Sequence, residues 1–291
     1  MADVRKQAEA AVAQADEEAV AGAEPEPTLE AKRPLKVELT HPSRERRGTG
    51  DGLQLIMRDA IKEVLRDHLR KDDRVLLLGE DIEDPKGDVF GVTRGLSTEF
   101  PGRVINSALT ESTILGTSMG RALAGQRPVA FIQFADFLPQ GYNQLVSELA
   151  MLHWRTGGQW NAPVIVMATT GGYKPGLGPF HASSMEAYAV HSPGLDVFEP
   201  STAADAVGLL NAAMASGRPT IFFYPKNLLN DRENTTSSDV ERQLVPIGKA
   251  RIVEKGDDIT FVGWGNAMPI CRKAAAALRA AGYGAEVIDL R

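Results

Sequence analysis

The residues Val-Ile-Asn-Ser-Ala-Leu-Thr-Glu-Ser-Thr-Ile-Leu-Gly at 104–116 and Val-Ala-Phe-Ile-Gln-Phe-Ala-Asp-Phe at 129–137 decide the fold. In the first, a short apolar strand is followed by one carboxylate, Glu111, and then by a helical pattern. In the second, a longer apolar strand runs into a turn carrying Asp136 and Phe137. In one parallel sheet both turns open at strand carboxyl ends, the edge where open α/β sheets bind ligands.

The same grammar extends outward. Leu53, Ile56, Met57, Ala60, Ile61, Val64, Leu65 and Leu69 fall at helical steps, with Asp51 expected as the cap. Val75-Leu76-Leu77-Leu78 then reads as a strand buried on both faces. Downstream, strands at 104–106, 129–134, 164–168, 197–199 and 221–224 alternate with helices at 112–124, 140–155, 184–190 and 203–216. Such alternation predicts a parallel α/β sheet. After a polar connector at 230–241, a second α/β unit opens at Gly248, with a strand at 259–263, a helix at 268–281 and a strand at 285–290. Three elements do not bury two faces of a sheet, so this unit reads as incomplete. At the other end, alanines at helical spacing in 3–20 predict a weak helix, stopped by Glu24-Pro25-Glu26-Pro27, and the residues to Gly52 read as linker. The run Arg44-Glu45-Arg46-Arg47 reads as solvated.

Composition narrows the function classes. The chain has 291 residues, 43% hydrophobic and 24% charged, as expected of one or two ordinary globular domains. A net charge of −6 gives no reason to expect nucleic acid or an anionic membrane as partner. A single cysteine, Cys271, leaves no disulfide framework, and no segment approaches the roughly 20 apolar residues of a membrane span. The acidic N-terminus does not read as a targeting peptide, so a cytoplasmic location is expected.

No Walker A loop or dinucleotide fingerprint is present: Gly263-Trp264-Gly265 follows a strand without the third glycine. The five histidines form no pair at metal-ligand spacing, so no metal site is expected. By pattern alone Glu111 reads equally as a site carboxylate and as a first-turn residue complementing the helix dipole, worth about 0.3–1 kcal/mol. Phe137 by itself reads as a core aromatic, and His181 in Gly178-Pro179-Phe180-His181-Ala182-Ser183-Ser184 as a loop histidine.

Their order changes that weighing. Leu-Leu-Leu-Gly-Glu-Asp-Ile at 76–82, Phe-Gly-Val-Thr-Arg-Gly-Leu at 90–96, Phe-Pro-Gly-Arg-Val at 100–104, Glu111 with Gly116, Ile-Gln-Phe-Ala-Asp-Phe at 132–137, and His181 with Ser184, Glu186 and Ala187 appear in sequence. From about Leu53 to Leu290 the chain resembles the beta subunit of thiamin diphosphate-dependent 2-oxo-acid dehydrogenases, the decarboxylating components of the pyruvate and branched-chain complexes. The resemblance implies a transketolase-like pyrimidine-binding domain at 53–229, a connector at 230–247 and the start of a transketolase C-terminal-like domain at 248–291, preceded by a helical tail and linker at 1–52.

In that family the active site lies between two chains: an alpha subunit holds the diphosphate and magnesium, and beta holds the aminopyrimidine. The resemblance thus implies that Glu111 hydrogen-bonds a pyrimidine ring nitrogen, that Phe137 packs against that ring with Asp136 beside it, and that His181, with Ser184, serves the substrate and the incoming lipoyl group. Implied partners are an alpha-type subunit, a second beta subunit and a lipoyl acyltransferase. The implied substrate is pyruvate or a branched-chain 2-oxo acid, with the 132–137 motif leaning toward the latter. Gly50-Asp51-Gly52 looks like the start of a magnesium-diphosphate motif but lacks its asparagine pair and precedes a helix. The family's His-Ser-Gln-Ser is here His-Ala-Ser-Ser, and residues 1–24 resemble the closing helix of an alpha subunit. The competing expectation is a noncatalytic fragment or interaction remnant that keeps the fold without assembling a site.

Overall fold

The computed structural model describes residues 1–24, 26 and 34–291; Pro25, Pro27 and residues 28–33, where the sequence places the helix stop and part of the linker, lie outside the described residues. The chain divides into two units, Met1–Pro34 and Leu35–Arg291. In the first, helix α1 (Ala2–Ala21) buries none of its residues, as expected of a stripe made mostly of alanine.

The second unit runs β1 (Gln54–Ile56), α2 (Met57–Lys71), β2 (Val75–Gly79), α3 (Leu96–Glu99), β3 (Val104–Asn106), α4 (Glu111–Leu123), β4 (Arg127–Phe134), α5 (Leu152–Arg155), β5 (Ile165–Thr170), α6 (Glu186–Val190), β6 (Asp196–Phe198) and α7 (Ala203–Ser216). It continues with β7 (Thr220–Pro225), β8 (Thr235–Ser237), β9 (Arg251–Glu254), β10 (Ile259–Gly263), α8 (Met268–Ala280) and β11 (Ala285–Asp289). Six strands form one parallel sheet in the order β3-β2-β4-β5-β7-β6. The chain leaves β2 toward β3 on one side and returns through β4 on the other. The β2/β4 boundary is therefore a topological switch point, where the strand ends leave a crevice. All the residues of β5 and β7 are buried, because helices cover both faces: Ile61, Val64 and Leu65 of α2 and Val207, Leu210 and Met214 of α7 belong to one core, and Ile114 and Leu115 of α4 to the other.

Several local expectations give way to distant contacts. Leu53 is 68% exposed and residues 54–56 form β1, paired antiparallel with β8; α2 begins only at Met57, with Ile56 at its cap position and Asp51 exposed upstream. Pairing across the chain overrides a periodicity that runs smoothly into the helix. The expected helix at 140–155 is instead a 3₁₀ turn (Ala135–Gly141) containing Pro139, a wider π-type turn (Asn143–Ala150) and the short α5. Proline lacks the N–H that a regular α turn would use.

The run at 44–47 is only partly solvated, with Arg44 and Arg46 exposed and Arg47 half-buried. Arg46 bridges Leu244 through two backbone hydrogen bonds of 2.9 Å, and Arg47 reaches the fully buried Asp205 at 2.8 Å. Within the connector read as polar at 230–241 Val240 is buried, and just beyond it Leu244, Val245 and Ile247 join the same core as α2 and α7. Gly208 permits that approach: a Cβ there would lie 2.6 Å from Val245 Cγ2.

The C-terminal strands form a separate sheet in the order β10-β11-β9, with β10 and β11 parallel and β9 antiparallel. Met268 and Ala275 of α8 pack with Ala285 and Val287, while Ile252 and Val262 remain 54% and 53% exposed. Among the described residues no helix is long and apolar enough to cross a membrane.

Candidate functional site

Glu111 opens α4, with Thr110 extended before it. It is 4% exposed, and its Oε2 makes no hydrogen bond to any described residue. A buried carboxylate oxygen without a partner is uncommon, because buried polar atoms are normally satisfied. At the end of β2, burial and then the nearby Asp81 and Glu111 push the Glu80 carboxyl above its usual range. The turn after β4 presses directly on the start of α4: a Cβ at Gly141 would sit 2.5 Å from Leu115 Cδ1 and 3.3 Å from the Glu111 carbonyl oxygen.

That turn carries an aromatic cluster. Phe134 and Phe137 meet edge to face at 5.6 Å between ring centres, and His181 lies 4.5 Å from Phe134 and 5.6 Å from Phe137. Phe90 adds a fourth ring, 5.8 Å from Phe134. Its loop is held by the buried Asp88, whose carboxylate accepts from the backbone N–H groups of Phe90, Gly91 and Val92 and is pushed up to about 6 by burial.

His181 sits on the loop that follows β5. Gly171 opens this loop with φ +77°, and a Cβ there would meet Asn266 Nδ2 at 1.9 Å. The Gly171 N–H donates to the Ser183 carbonyl at 3.1 Å, and the Ser183 N–H donates to Asp136 at 3.1 Å. Asp136 thus clamps the histidine loop through Ser183, while Ser184 is exposed. The structure therefore brings Phe137, Asp136 and His181 together, with Glu111 at the head of the helix that the same turn packs against.

Residues 54–232 match the family described as transketolase, pyrimidine binding domain, and residues 248–291 match the transketolase C-terminal domain. The 2-oxoisovalerate dehydrogenase subunit beta of Bacillus subtilis (strain 168) is 39% identical over 80% of this chain and 70% of its own length. The pyruvate dehydrogenase E1 component subunit beta of Leifsonia xyli subsp. xyli (strain CTCB07) is 38% identical over 81% of this chain and 69% of its own. The chain belongs to the beta-subunit family of the 2-oxo-acid dehydrogenases. This family is thiamin diphosphate-related. Its fold here is that of transketolases: a solved structure described as split gene transketolase, inactive beta4 tetramer, superposes with TM-score 0.64 at 22% identity over 81% of this chain and 70% of that one.

For this beta-family chain, sequence reasoning overlooked two parts of the cluster. Phe134 reads as an ordinary strand residue, yet it touches every other ring. Lys226 follows the wholly buried β7 and is itself 1% exposed; a charge directly after such a strand was the available signal. Its Nζ lies 5.3 Å from the centre of the Phe134 ring, makes no hydrogen bond to any described residue, and is pushed down to about 8 by burial.

Glu199, after β6, is 4% exposed, and burial, reinforced by Glu186, raises its carboxyl to about 9. Trp264 donates to Glu186 at 3.1 Å, and the Gly265 N–H donates to the Glu199 carbonyl at 3.2 Å. The folded chain keeps this carboxyl protonated up to about pH 9, whereas the unfolded chain ionises it near its ordinary 4.5. Stability present below the lower value is therefore lost progressively as pH rises through the upper one. Glu199→Gln is expected to raise Tm by several degrees at about pH 8.5 and to change it little at about pH 5; melting curves across that range check this, and an unchanged pH slope would contradict it.

Proposed function

We propose that this chain supplies the pyrimidine end of a thiamin diphosphate site in a 2-oxo-acid dehydrogenase first component, and that with an alpha-type subunit it decarboxylates pyruvate or a branched-chain 2-oxo acid. The observation that carries the reading is the buried Glu111, whose unsatisfied Oε2 belongs to the helix head packed under the aromatic turn. These residues fit an aminopyrimidine: a carboxyl oxygen free to share a proton with a ring nitrogen, and aromatic rings for an apolar wall. When bound, thiamin diphosphate supplies the electron sink for decarboxylation.

Each side chain then has a distinct task. Glu111 holds or gives a proton at the pyrimidine nitrogen. Phe137 fixes the ring by an aromatic contact worth about 0.5–1.5 kcal/mol beyond area burial. His181, held against Phe134 and Phe137 by the Asp136 clamp, moves a proton at the acyl acceptor, a lipoyl group, since an imidazole ring can both accept and donate one. Magnesium and the diphosphate belong to the alpha partner in this reading, a second beta subunit and a lipoyl acyltransferase complete the assembly, and the location is cytoplasmic.

The test is CO₂ release by the chain co-purified with an alpha-type subunit, with pyruvate and with a branched-chain 2-oxo acid. Release that requires thiamin diphosphate is expected; release that persists without the cofactor would overturn the reading.

A further inference from the structure

Lys226 is a buried cation whose Nζ makes no hydrogen bond to any described residue. The acidic groups that act on it are Asp136 and Glu199. Asp136 also accepts from the Ser183 backbone, and burial pushes the Glu199 carboxyl up to about 9. Lys174, the other cation nearby, lies 4.7 Å from the centre of the Phe90 ring. One ammonium thus lies over each ring of the Phe90–Phe134 pair, and that of Lys226 is enclosed. Burying an ammonium is costly unless it is paired, so this seat favours a small anion that arrives beside Phe134, Phe137 and His181.

We propose that Lys226 is the anchor for the carboxylate of the 2-oxo acid, attracting it by the charge on Nζ from behind the edge of the aromatic cluster. The inference rests on the function proposed above and adds a residue for substrate recognition. Its chemistry has a distinctive consequence. A carboxylate held by a cation is most strongly stabilised before decarboxylation, because its charge disperses as CO₂ departs. Lys226 therefore strengthens ground-state binding without lowering the barrier, and its loss raises KM while leaving kcat unchanged or higher.

The test is steady-state kinetics on the chain assembled with an alpha-type subunit and saturated with thiamin diphosphate. Lys226→Met is expected to raise KM for the 2-oxo acid about 10- to 100-fold, with kcat not reduced and the concentration of cofactor needed for half-activity unchanged. Lys226→Arg is expected to recover most of the lost KM. If Lys226→Met fails to assemble, Lys226→Gln, which keeps a polar end in the seat and loses only the charge, is read in the same way. A KM within about twofold of wild type in the neutral variant, or a fall in kcat at constant KM, overturns the proposal and leaves the functional reading standing. A wild-type assembly that turns over no 2-oxo acid overturns the functional reading itself, and the anchor with it.

Discussion

Glu111→Gln, assembled with an alpha-type subunit and saturated with thiamin diphosphate, is expected to lose about 10²- to 10⁴-fold in kcat, the usual worth of a positioned acid–base group. Glutamine keeps the volume of the buried seat and can donate a hydrogen bond, but its amide cannot transfer a proton to a pyrimidine nitrogen. The fold is expected to tolerate the change. Neutralising a first-turn carboxylate forfeits only about 0.3–1 kcal/mol of helix-dipole interaction, and Oε2 loses no hydrogen bond because it makes none to a described residue. Turnover and Tm measured on the same preparation separate the two effects. A variant within a few-fold of wild-type kcat would show that Glu111 is only a first-turn carboxylate complementing the helix dipole.

The second large effect concerns stability. Asp205 is fully buried in α7, accepts from the Thr202 hydroxyl at 2.7 Å, and faces Arg47 at 2.8 Å and both Arg251 and Arg291 at 3.6 Å. Arg291 is itself nearly buried and shares Glu45 at 3.0 Å. One carboxylate thus ties residues 45–47 and the C-terminal strands to the main sheet. Removing it leaves the enclosed Arg291 and the part-exposed Arg47 and Arg251 with too little negative charge, and breaking a buried pair from one side typically costs about 3–5 kcal/mol. Asp205→Ala is therefore expected to lower Tm by on the order of 10 °C, measured by calorimetry on the full chain. A loss below about 1 kcal/mol, the range of exposed ion pairs, would contradict this account of the cluster.

What was legible in the sequence follows the range of the interaction concerned. β3, α7 and β10 have the bounds their local patterns predict, since each is written by consecutive apolar residues or by helical spacing. Residues 53–56 do not, because β8 decides their conformation and lies in a segment that looks like polar connector. Arg47 has the same cause: nothing near it in sequence announces that Asp205 waits on α7. In the site, Glu111 stands out locally, a carboxylate between strand and helix. Phe137 and His181 acquire meaning only from the order of the motifs around them, and it takes the folded loop to show that Asp136 holds Ser183 rather than Ser184. Lys226 stayed hidden because a lysine after a strand ordinarily reaches solvent, and only the packing around Phe134 encloses it.

The proposed dependence on a second chain is tested most directly by CO₂ release from a 2-oxo acid, measured for this chain alone, for an alpha-type chain alone and for the assembled pair, each with and without thiamin diphosphate. The account predicts release only from the pair, and only with the cofactor. Cofactor-dependent release by this chain alone would contradict it.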